Sequence, residues 1–271
     1  MGGSPAIKPR TVKIITWNVN SIRTRLERVL GVLERHQPDL LCLQETKVTD
    51  DIFPHEALAE AGYQAVVHGQ KTYNGVALLA REQPEDVLNG FPGDPIPEQA
   101  RVISGTLGGV RVINAYVVNG KDLHDPKFTM KLAWLDALLD WLEAEHDSSQ
   151  PLVMLGDFNI APDERDVWDL EYWKDKIFFS PAEHERLARL SRWGLTDLFR
   201  EKCDEAGKFT WWDYRGGAFQ RGNGLRIDLI LGTAPIVERC EDVLIDRDER
   251  KKGDWEAKPS DHVPVLVTLK P

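Results

Sequence analysis

Short apolar runs alternate with helical apolar stripes along the chain. Residues 12–17 (VKIITW) and 39–44 (DLLCLQ) are mainly apolar, which is typical of strands covered on both faces. Residues 127–145 place apolar side chains at helical spacing and predict the longest helix. The same patterns predict a helix at 182–192 and strands at 64–68, 75–80, 101–106, 110–117, 152–155, 209–212, 226–231, 242–245 and 263–269.

Local signals refine this pattern. Ser21 is the predicted N-cap of the helix that follows the first strand. Gly108 and Gly109 predict a hairpin turn, and the four prolines within residues 83–99 predict a surface loop. Because strands recur in both halves with helices between them, the predicted fold is a layered α/β sandwich rather than two domains.

Polar residues appear repeatedly where these apolar runs end. A buried carboxylate is costly unless it is paired or bound to a metal, so many such positions point away from a purely structural explanation. In α/β sheets, ligands gather beyond the carboxyl ends of strands, so we expect these side chains to form one site. The residues are Asn18, Glu45, Tyr116, Asp157, Asn159, Asp228, Asp261 and His262.

The chemistry of this predicted site follows from its donor atoms. Carboxylate and amide oxygens without thiolate suit Mg²⁺ or Mn²⁺ rather than zinc. Such a metal polarises a phosphoryl oxygen, which indicates metal-assisted phosphoester hydrolysis. Taken singly, each residue has a structural alternative, because an Asp after a strand is more often a turn or N-cap residue. His262 alone is more often bonded to a backbone carbonyl; only the joint arrangement favours the functional interpretation.

Length and composition indicate the number of domains and the broad class of protein. The 271 residues, 42% of them hydrophobic, can bury one large core, so we predict a single catalytic domain over 11–271 after a flexible N-terminal extension over 1–10. With no secretory signal and no apolar run long enough to cross a bilayer, we expect a cytoplasmic protein without membrane association. Three scattered cysteines exclude a disulfide framework; we expect them to be reduced, with Cys42 in the core.

The net charge of −10 argues against a protein that coats DNA without specificity, because phosphate binders usually carry a basic excess. It does not exclude an enzyme, which needs only a local basic face and must release its product. Arginines cluster at two places, each of which could equally be a solvated surface. They are Arg23, Arg25 and Arg28 in the first cluster and Arg215, Arg221 and Arg226 in the second.

A series of motifs, in order, resembles the exonuclease III class of apurinic/apyrimidinic endonucleases, within the superfamily shared with DNase I. The resemblance runs from about residue 13 to residue 269 and implies a four-layer sandwich of two mixed, mainly antiparallel sheets flanked by helices. LQETK, WDYR and GLRID are the motifs most specific to the DNA repair branch. The full set is TWNVNSIR, LQETK, YNGVAL, NAYVVNG, GDFNIAP, WDYR, GLRIDLIL and SDHVPV.

The resemblance also implies a metal site. Glu45 would coordinate Mg²⁺, for which Mn²⁺ would substitute. Asn18 and Asp261 would lie near the ion and share or relay that role.

A catalytic role is implied for five further residues. Asp157 would orient or deprotonate the attacking water, and Asn159 would hold the water and the scissile phosphate. Asp228 would fix the tautomer of His262, whose imidazole would stabilise charge on the phosphate. Tyr116 would reach the same phosphate.

Recognition of a lesion has a simple physical basis. An abasic nucleotide has no base to unstack, so a small apolar pocket can select it. By resemblance, Trp211, Trp212 and Leu225 are candidates for that pocket and its rim, although at least one of the two tryptophans is expected in the core. The DNA contacts implied by the resemblance are Asn20, Arg23, Arg25, Lys47, Asn119, Trp212, Arg221, Asn223 and Leu225.

The implied activity is incision of duplex DNA 5′ to an abasic site, leaving a 3′-hydroxyl and a 5′-deoxyribose phosphate. Removal of 3′ blocking groups and 3′-to-5′ exonuclease action would accompany it, in a monomer associated with the nucleoid. Val118 stands where the family typically has proline, and the glycine-rich loop 215–224 is variable, so the balance of activities stays open. The alternatives are a phosphatase or phospholipase of the same superfamily and a catalytically silent DNA-binding protein.

Overall fold

Two six-stranded sheets form the centre of the molecule, in a computed structural model that describes residues 11–271. The predicted N-terminal extension, residues 1–10, lies outside the described residues. The first sheet contains, in sheet order, β11 (Cys240–Ile245), β12 (Val265–Leu269), β1 (Val12–Asn18), β2 (Leu40–Gln44), β4 (Val76–Ala80) and β3 (Gln64–His68). The second contains β5 (Glu85–Asn89), β6 (Val102–Leu107), β7 (Val110–Tyr116), β8 (Leu152–Asp157), β10 (Asp228–Gly232) and β9 (Thr196–Asp197).

Both sheets are mixed but mainly antiparallel. Strand β1 pairs with β2 in parallel, and β7 pairs with β8 in parallel, whereas the other pairs are antiparallel. In the parallel pairs, Asn18 lies opposite Gln44 and Tyr116 lies opposite Asp157. The carboxyl ends of the four central strands therefore open on the same edge of the molecule, where polar side chains were predicted to gather.

Helices cover the outer face of each sheet. The first sheet packs on α1 and α2 through residues such as Trp17 and Val29, and the second packs on α3 and α5 through residues such as Met154 and Leu135. A third cluster, which includes Cys42, fills the space between the sheets. The predicted four-layer α/β sandwich is thus confirmed. The helices are α1 (Ile22–His36), α2 (His55–Glu60), α3 (Pro126–Glu145), α4 (Leu170–Trp173), α5 (Pro181–Trp193), α6 (Leu198–Lys202), α7 (Ala218–Arg221) and α8 (Ala234–Arg239).

The structure corrects three local predictions. The proline-rich segment 83–99 contains an edge strand, β5, whose residues lie between the first and second prolines of the segment. This strand pairs with β6 through an irregular register. Residues 209–212 do not form a strand, because Trp211 makes only isolated bridges. Ser21 precedes α1 but has a positive φ of 92°, and its hydroxyl contacts the Thr24 hydroxyl instead of capping the helix. Within residues 11–271, no helix has the length and apolarity needed to span a bilayer.

Candidate active site

The end of β8 turns sharply and directs two buried polar side chains into the site. Gly156 has a φ of 139°, and a Cβ atom there would lie 1.9 Å from the carbonyl oxygen of Ala115 in the neighbouring strand. Only glycine lets β7 and β8 approach so closely at this point. Beyond it, Phe158 is fully buried among the residues under α3, while Asp157 and Asn159 point towards the site.

Gly156→Ala should therefore destabilise the fold by about 3 kcal/mol or more, because the added methyl group meets backbone that cannot rotate away. Urea denaturation of the variant measures this loss. Gly62→Ala is the matched control, since Gly62 also has a positive φ (86°) but a Cβ there would meet nothing within 4 Å. Equal losses in the two variants would show that backbone strain, and not the approach of β7, dictates the glycine.

An amide holds the two central carboxylates together. The Asn18 side-chain nitrogen donates to Glu45 Oε1 at 2.8 Å and to Asp157 Oδ2 at 2.8 Å. The other oxygen of Asp157 accepts from the backbone N–H of Asn159 at 2.9 Å, so the carboxylate is fixed from both sides. Asn18 thereby brings residues from β1, β2 and β8 to one point, as the sequence pattern predicted.

The loop after β2 is held in a strained conformation. Glu45 and Lys47 both have positive φ values, 54° and 58°, which are unfavourable for residues with a Cβ atom. Lys47 Nζ lies 2.7 Å from Glu45 Oε2 and also donates to the side chain of Asn20. Burial raises the pKa of Glu45, but the Lys47 charge and the Asn18 hydrogen bond outweigh it and lower that pKa, so the carboxylate is ionised at neutral pH.

His262 is fixed between two carboxylates. Its Nδ1 donates to Asp228 Oδ2 at 2.9 Å, and its Nε2 lies 3.7 Å from Asp157 Oδ2. Burial lowers the pKa of His262, but the charges of Asp228 and Asp157 outweigh burial and raise it to about 10. The imidazole is therefore protonated at neutral pH, and its Nε2 side is the one that faces Asp157.

For Asp157, the effect of burial on the pKa outweighs that of the neighbouring positive charge. Burial raises its pKa from 3.8 to about 7, against the charge of His262, which lowers it. A carboxylate that gains and loses a proton near neutral pH can act as a general base there. Tyr116, at the end of β7, keeps its proton, because burial and the charges of Glu45 and Asp157 raise its pKa well above the usual value.

Asp261 lies beside this cluster and is bonded to Asn20 and Trp211. Its Oδ1 accepts from the Asn20 side chain at 2.9 Å, and its Oδ2 accepts from Trp211 Nε1 at 3.1 Å. Burial raises the pKa of Asp261, but the charge of His262 and these two hydrogen bonds outweigh it and lower that pKa.

The donor set fits a hard divalent cation. Among residues 11–271, one donor atom each from Glu45, Asp157 and His262 lie within 4.8 Å of one another. The two carboxylates supply oxygen ligands, whereas a protonated His262 bonded to Asp228 does not ligate a metal. Glu45 is the member of this group that is partly open to solvent, and Lys47 already places a positive charge beside it.

The predicted DNA contacts fall into two classes. Arg23 and Arg221 are exposed, as is Arg215 of the second arginine cluster. Asn119 is exposed beside the site, where its amide donates to Asn159 Oδ1 at 3.1 Å. Asn223 is half-buried, with its backbone N–H bonded to the carbonyl of Ala218.

Several predicted contacts face inwards instead. Arg25 donates to the Tyr214 hydroxyl and to backbone carbonyls, and Arg28 is fully buried against the carboxylate of Glu249. Trp212 and Leu225 are 1% and 0% exposed. Trp211, not Trp212, is the tryptophan that faces the site, because its ring lies 6.5 Å from that of His262 and its N–H bonds Asp261.

Sequence reasoning missed one buried cation beside the site. Arg101 is 8% exposed and lies over the Tyr116 ring at 4.8 Å, while its guanidinium donates to the Tyr116 carbonyl. The only sequence signal is a basic residue at the start of an otherwise apolar strand. Such a residue is usually solvent-exposed, so the pattern did not distinguish it.

Comparison with known proteins gives consistent matches. Residues 15–262 match the model of the Endonuclease/Exonuclease/phosphatase family. The chain is 39% identical to exodeoxyribonuclease III of Haemophilus influenzae, over 96% of this chain and 100% of that protein. A Neisseria 3′ phosphatase bound to a product DNA hairpin superposes with a TM-score of 0.90 at 44% identity, covering 96% of this chain and all of that one. An AP endonuclease from Archaeoglobus fulgidus gives 0.90 at 37% identity, covering 95% and 99%.

Proposed function

The chain belongs to the endonuclease/exonuclease/phosphatase family and is a DNA repair nuclease of the exodeoxyribonuclease III type, and we propose that it cuts duplex DNA 5′ to abasic sites in a Mg²⁺-dependent reaction. The pairing of a buried carboxylate, Asp157, with a buried imidazolium, His262, carries this proposal. Hydrolysis of a phosphodiester needs a positioned water and positive charge on the phosphoryl oxygens, and these two groups supply one each.

Asp157 takes the proton of the attacking water, whose oxygen then bonds to phosphorus while the bond to the 3′ oxygen breaks. The 3′ oxygen leaves as an alkoxide and takes a proton from solvent water. Asn159 orients the water and the phosphate through its amide, which Asn119 and the Val117 carbonyl hold in place. His262 donates its Nε2 proton as a hydrogen bond to a phosphoryl oxygen, and the Tyr116 hydroxyl donates to another. The products are a 3′-hydroxyl and a 5′-deoxyribose phosphate.

Glu45 would hold the metal, with Asn18 fixing the carboxylate. Asp261 would support the Glu45 loop indirectly, because it accepts from Asn20, whose side chain accepts from Lys47. When bound, Mg²⁺ would neutralise charge on the phosphate and stabilise the leaving alkoxide, and Mn²⁺ would substitute. The cluster of carboxylates, and the fact that Glu45 stays ionised and partly open to solvent, support this assignment.

The proposed partner is duplex DNA with abasic sites or blocked 3′ ends, bound by one copy of the chain in the cytoplasm at the nucleoid. The exposed Arg23, Arg215 and Arg221, together with Lys47 and Asn20, would contact backbone phosphates around the site. Arg25 and Asn223 would support the loops that carry these contacts, and Trp212 and Leu225 would back the pocket wall that Trp211 presents.

A second activity has specific support. The similarity to a Neisseria 3′ phosphatase, at 44% identity over nearly the whole chain, favours removal of 3′ phosphates by the same site. The chemistry is unchanged, because water again attacks a phosphorus atom next to Asp157. The proposal extends to 3′-phosphodiesterase and 3′-to-5′ exonuclease action in the same site.

One panel of substrates tests the proposal. Three duplexes carry a single abasic site, a 3′ phosphate or an undamaged recessed 3′ end, and each is incubated with Mg²⁺, with Mn²⁺ or with chelator. We expect incision of the abasic duplex with either metal and none with chelator. Cleavage of the 3′ phosphate alone would replace abasic-site incision with 3′-end repair as the main function. An inositol phosphate is assayed under the same conditions, and its hydrolysis with no action on any duplex would point to the phosphatase branch of the family.

A further inference from the structure

A buried ion pair lies directly behind the asparagines of the active site. Lys131 on α3 and Glu183 on α5 are both fully buried, and their side chains are in contact. The Lys131 ammonium also donates to the backbone carbonyl of Asn159 at 2.7 Å and to that of Asn119 at 3.4 Å. All three ammonium hydrogens therefore have acceptors, two of which are main-chain oxygens of residues that face the substrate.

Glu183 is equally occupied. One carboxylate oxygen accepts from the Phe178 N–H at 3.1 Å, and the other accepts from the Ser180 N–H at 3.0 Å and the Ser180 hydroxyl at 2.6 Å. These bonds cap α5 and fix the end of the segment that leaves the site after Asn159. Glu183 thus holds Lys131 in place without itself reaching the site.

The chain also passes very close to the Lys131 stem. Gly120 has a φ of 89°, and a Cβ there would lie 3.2 Å from Lys131 Cδ and 2.7 Å from Ile177 Cδ1. The loop that carries Asn119 is therefore packed on the lysine side chain as well as bonded to its ammonium group.

Stability alone gives little reason for this pair. Burying two charges costs so much desolvation that well-packed apolar residues are often as stabilising as a buried ion pair. What an apolar pair cannot do is donate to the two carbonyls. The two carbonyls belong to Asn119 and Asn159, whose side chains are also bonded, because Asn119 Nδ2 donates to Asn159 Oδ1. A shift of either main chain therefore moves the amide that orients water and phosphate.

We infer that Lys131 is a positioning residue of the active site, whose buried ammonium group anchors the main chain of Asn119 and Asn159 and thereby aims their amides at the reacting phosphate. Loss of the anchor should slow the chemical step far more than it weakens DNA binding, because the exposed arginines that meet the DNA backbone are not altered. A misplacement of about 1 Å in such a group can cost about 10²-fold in rate. The inference rests on the proposed function only for the choice of substrate.

Three variants separate positioning from stability. Lys131→Met removes the ammonium and leaves Glu183 buried without its partner, so both rate and melting temperature should fall. Glu183→Gln should lower the melting temperature but keep the rate near that of the wild type, because the lysine still reaches both carbonyls. The double variant should recover much of the melting temperature while its rate stays about 10²-fold low.

The measurements are single-turnover rates with Mg²⁺, DNA dissociation constants with chelator, and thermal melts, all compared below the lowest melting temperature. Leu135→Ala is the matched control, since Leu135 is buried on the same helix and has no polar atom that could donate to either carbonyl. Recovery of rate together with melting temperature in the double variant would overturn the inference, as would an equal loss of rate in Leu135→Ala. If Lys131→Met does not fold, the double variant and Glu183→Gln still decide the question.

The reference is the wild-type rate on abasic-site or 3′-phosphate DNA, whichever it hydrolyses. A wild type inactive on both overturns the proposed function. An active wild type with an equally active double variant overturns only the role of Lys131.

Discussion

Asp157→Asn should lower the single-turnover rate on an abasic-site duplex by about 10³-fold or more and leave the fold intact. The amide cannot accept a proton from water, and its single oxygen cannot accept both the Asn18 hydrogen bond and the Asn159 hydrogen bond that the carboxylate accepts. The variant therefore loses both the base and the hydrogen bond that aims it. DNA binding should persist, because His262, Tyr116 and the exposed arginines are unchanged.

The stability of this variant follows from the raised pKa of Asp157. The pKa of Asp157 is about 7 in the folded protein, against an ordinary value of 3.8. The protonated group therefore stabilises the fold fully below pH 3.8, and this contribution is lost as pH rises to about 7. Asparagine does not ionise and avoids this loss. In metal-free buffer, the lost hydrogen bond should lower the melting temperature of Asp157→Asn at pH 5, and the avoided ionisation should offset more of that loss at pH 8.

Thermal melts with chelator at these two pH values, beside rate measurements with Mg²⁺, test both parts. Asp51→Asn is the control, because Asp51 is exposed and remote from the site. A variant that melts far below the wild type would make Asp157 a structural residue. Retention of more than a small fraction of the rate would remove it as the base.

Glu45→Gln should abolish the response of the protein to Mg²⁺. A ligand that binds only the folded state raises the melting temperature, so Mg²⁺ should stabilise the wild type. Glutamine can still accept the Asn18 hydrogen bond, which preserves the local structure, but it removes the charge on which metal binding depends. The rate should fall by about 10²-fold or more, and added Mn²⁺ should restore little of it.

Differential scanning calorimetry across a Mg²⁺ titration measures this effect directly. Glu56→Gln, an exposed position on α2, should respond to Mg²⁺ as the wild type does. An unchanged Mg²⁺ shift in Glu45→Gln would place the metal elsewhere, with Asp261 the next acid to test.

The sequence predicted which side chains come together because the signal for their placement is local. Asn18, Tyr116 and Asp157 end strands, Glu45 directly follows one, and the carboxyl ends of neighbouring strands must meet. Asp228 begins an antiparallel strand directly opposite Asp157, so it reaches the same point from the other direction. These placements depend on the order of apolar and polar residues and need no knowledge of distant contacts.

Other predictions failed because partners far along the chain determine the outcome. Arg28 looked like a surface cation, but its guanidinium bonds the carboxylate of Glu249 and the carbonyl of Ala257, more than 200 residues away. Lys131 lies within the apolar pattern of α3 and finds Glu183 52 residues later. Which of Trp211 and Trp212 faces the site depends on which indole N–H bonds Asp261. The alternation of inward and outward positions along the sequence does not show which one that is.

Hydrolysis in H₂¹⁸O is the measurement that tests most directly whether water, activated at Asp157, attacks phosphorus. The wild type is incubated with Mg²⁺ and a duplex that carries one abasic site, and both fragments are analysed by mass spectrometry. We expect one ¹⁸O atom in the phosphate of the 5′-deoxyribose phosphate product and an unlabelled 3′-hydroxyl on the other fragment. Cleavage without ¹⁸O in the phosphate, with an unsaturated sugar left at the 3′ end, would show elimination instead of hydrolysis and would contradict this account.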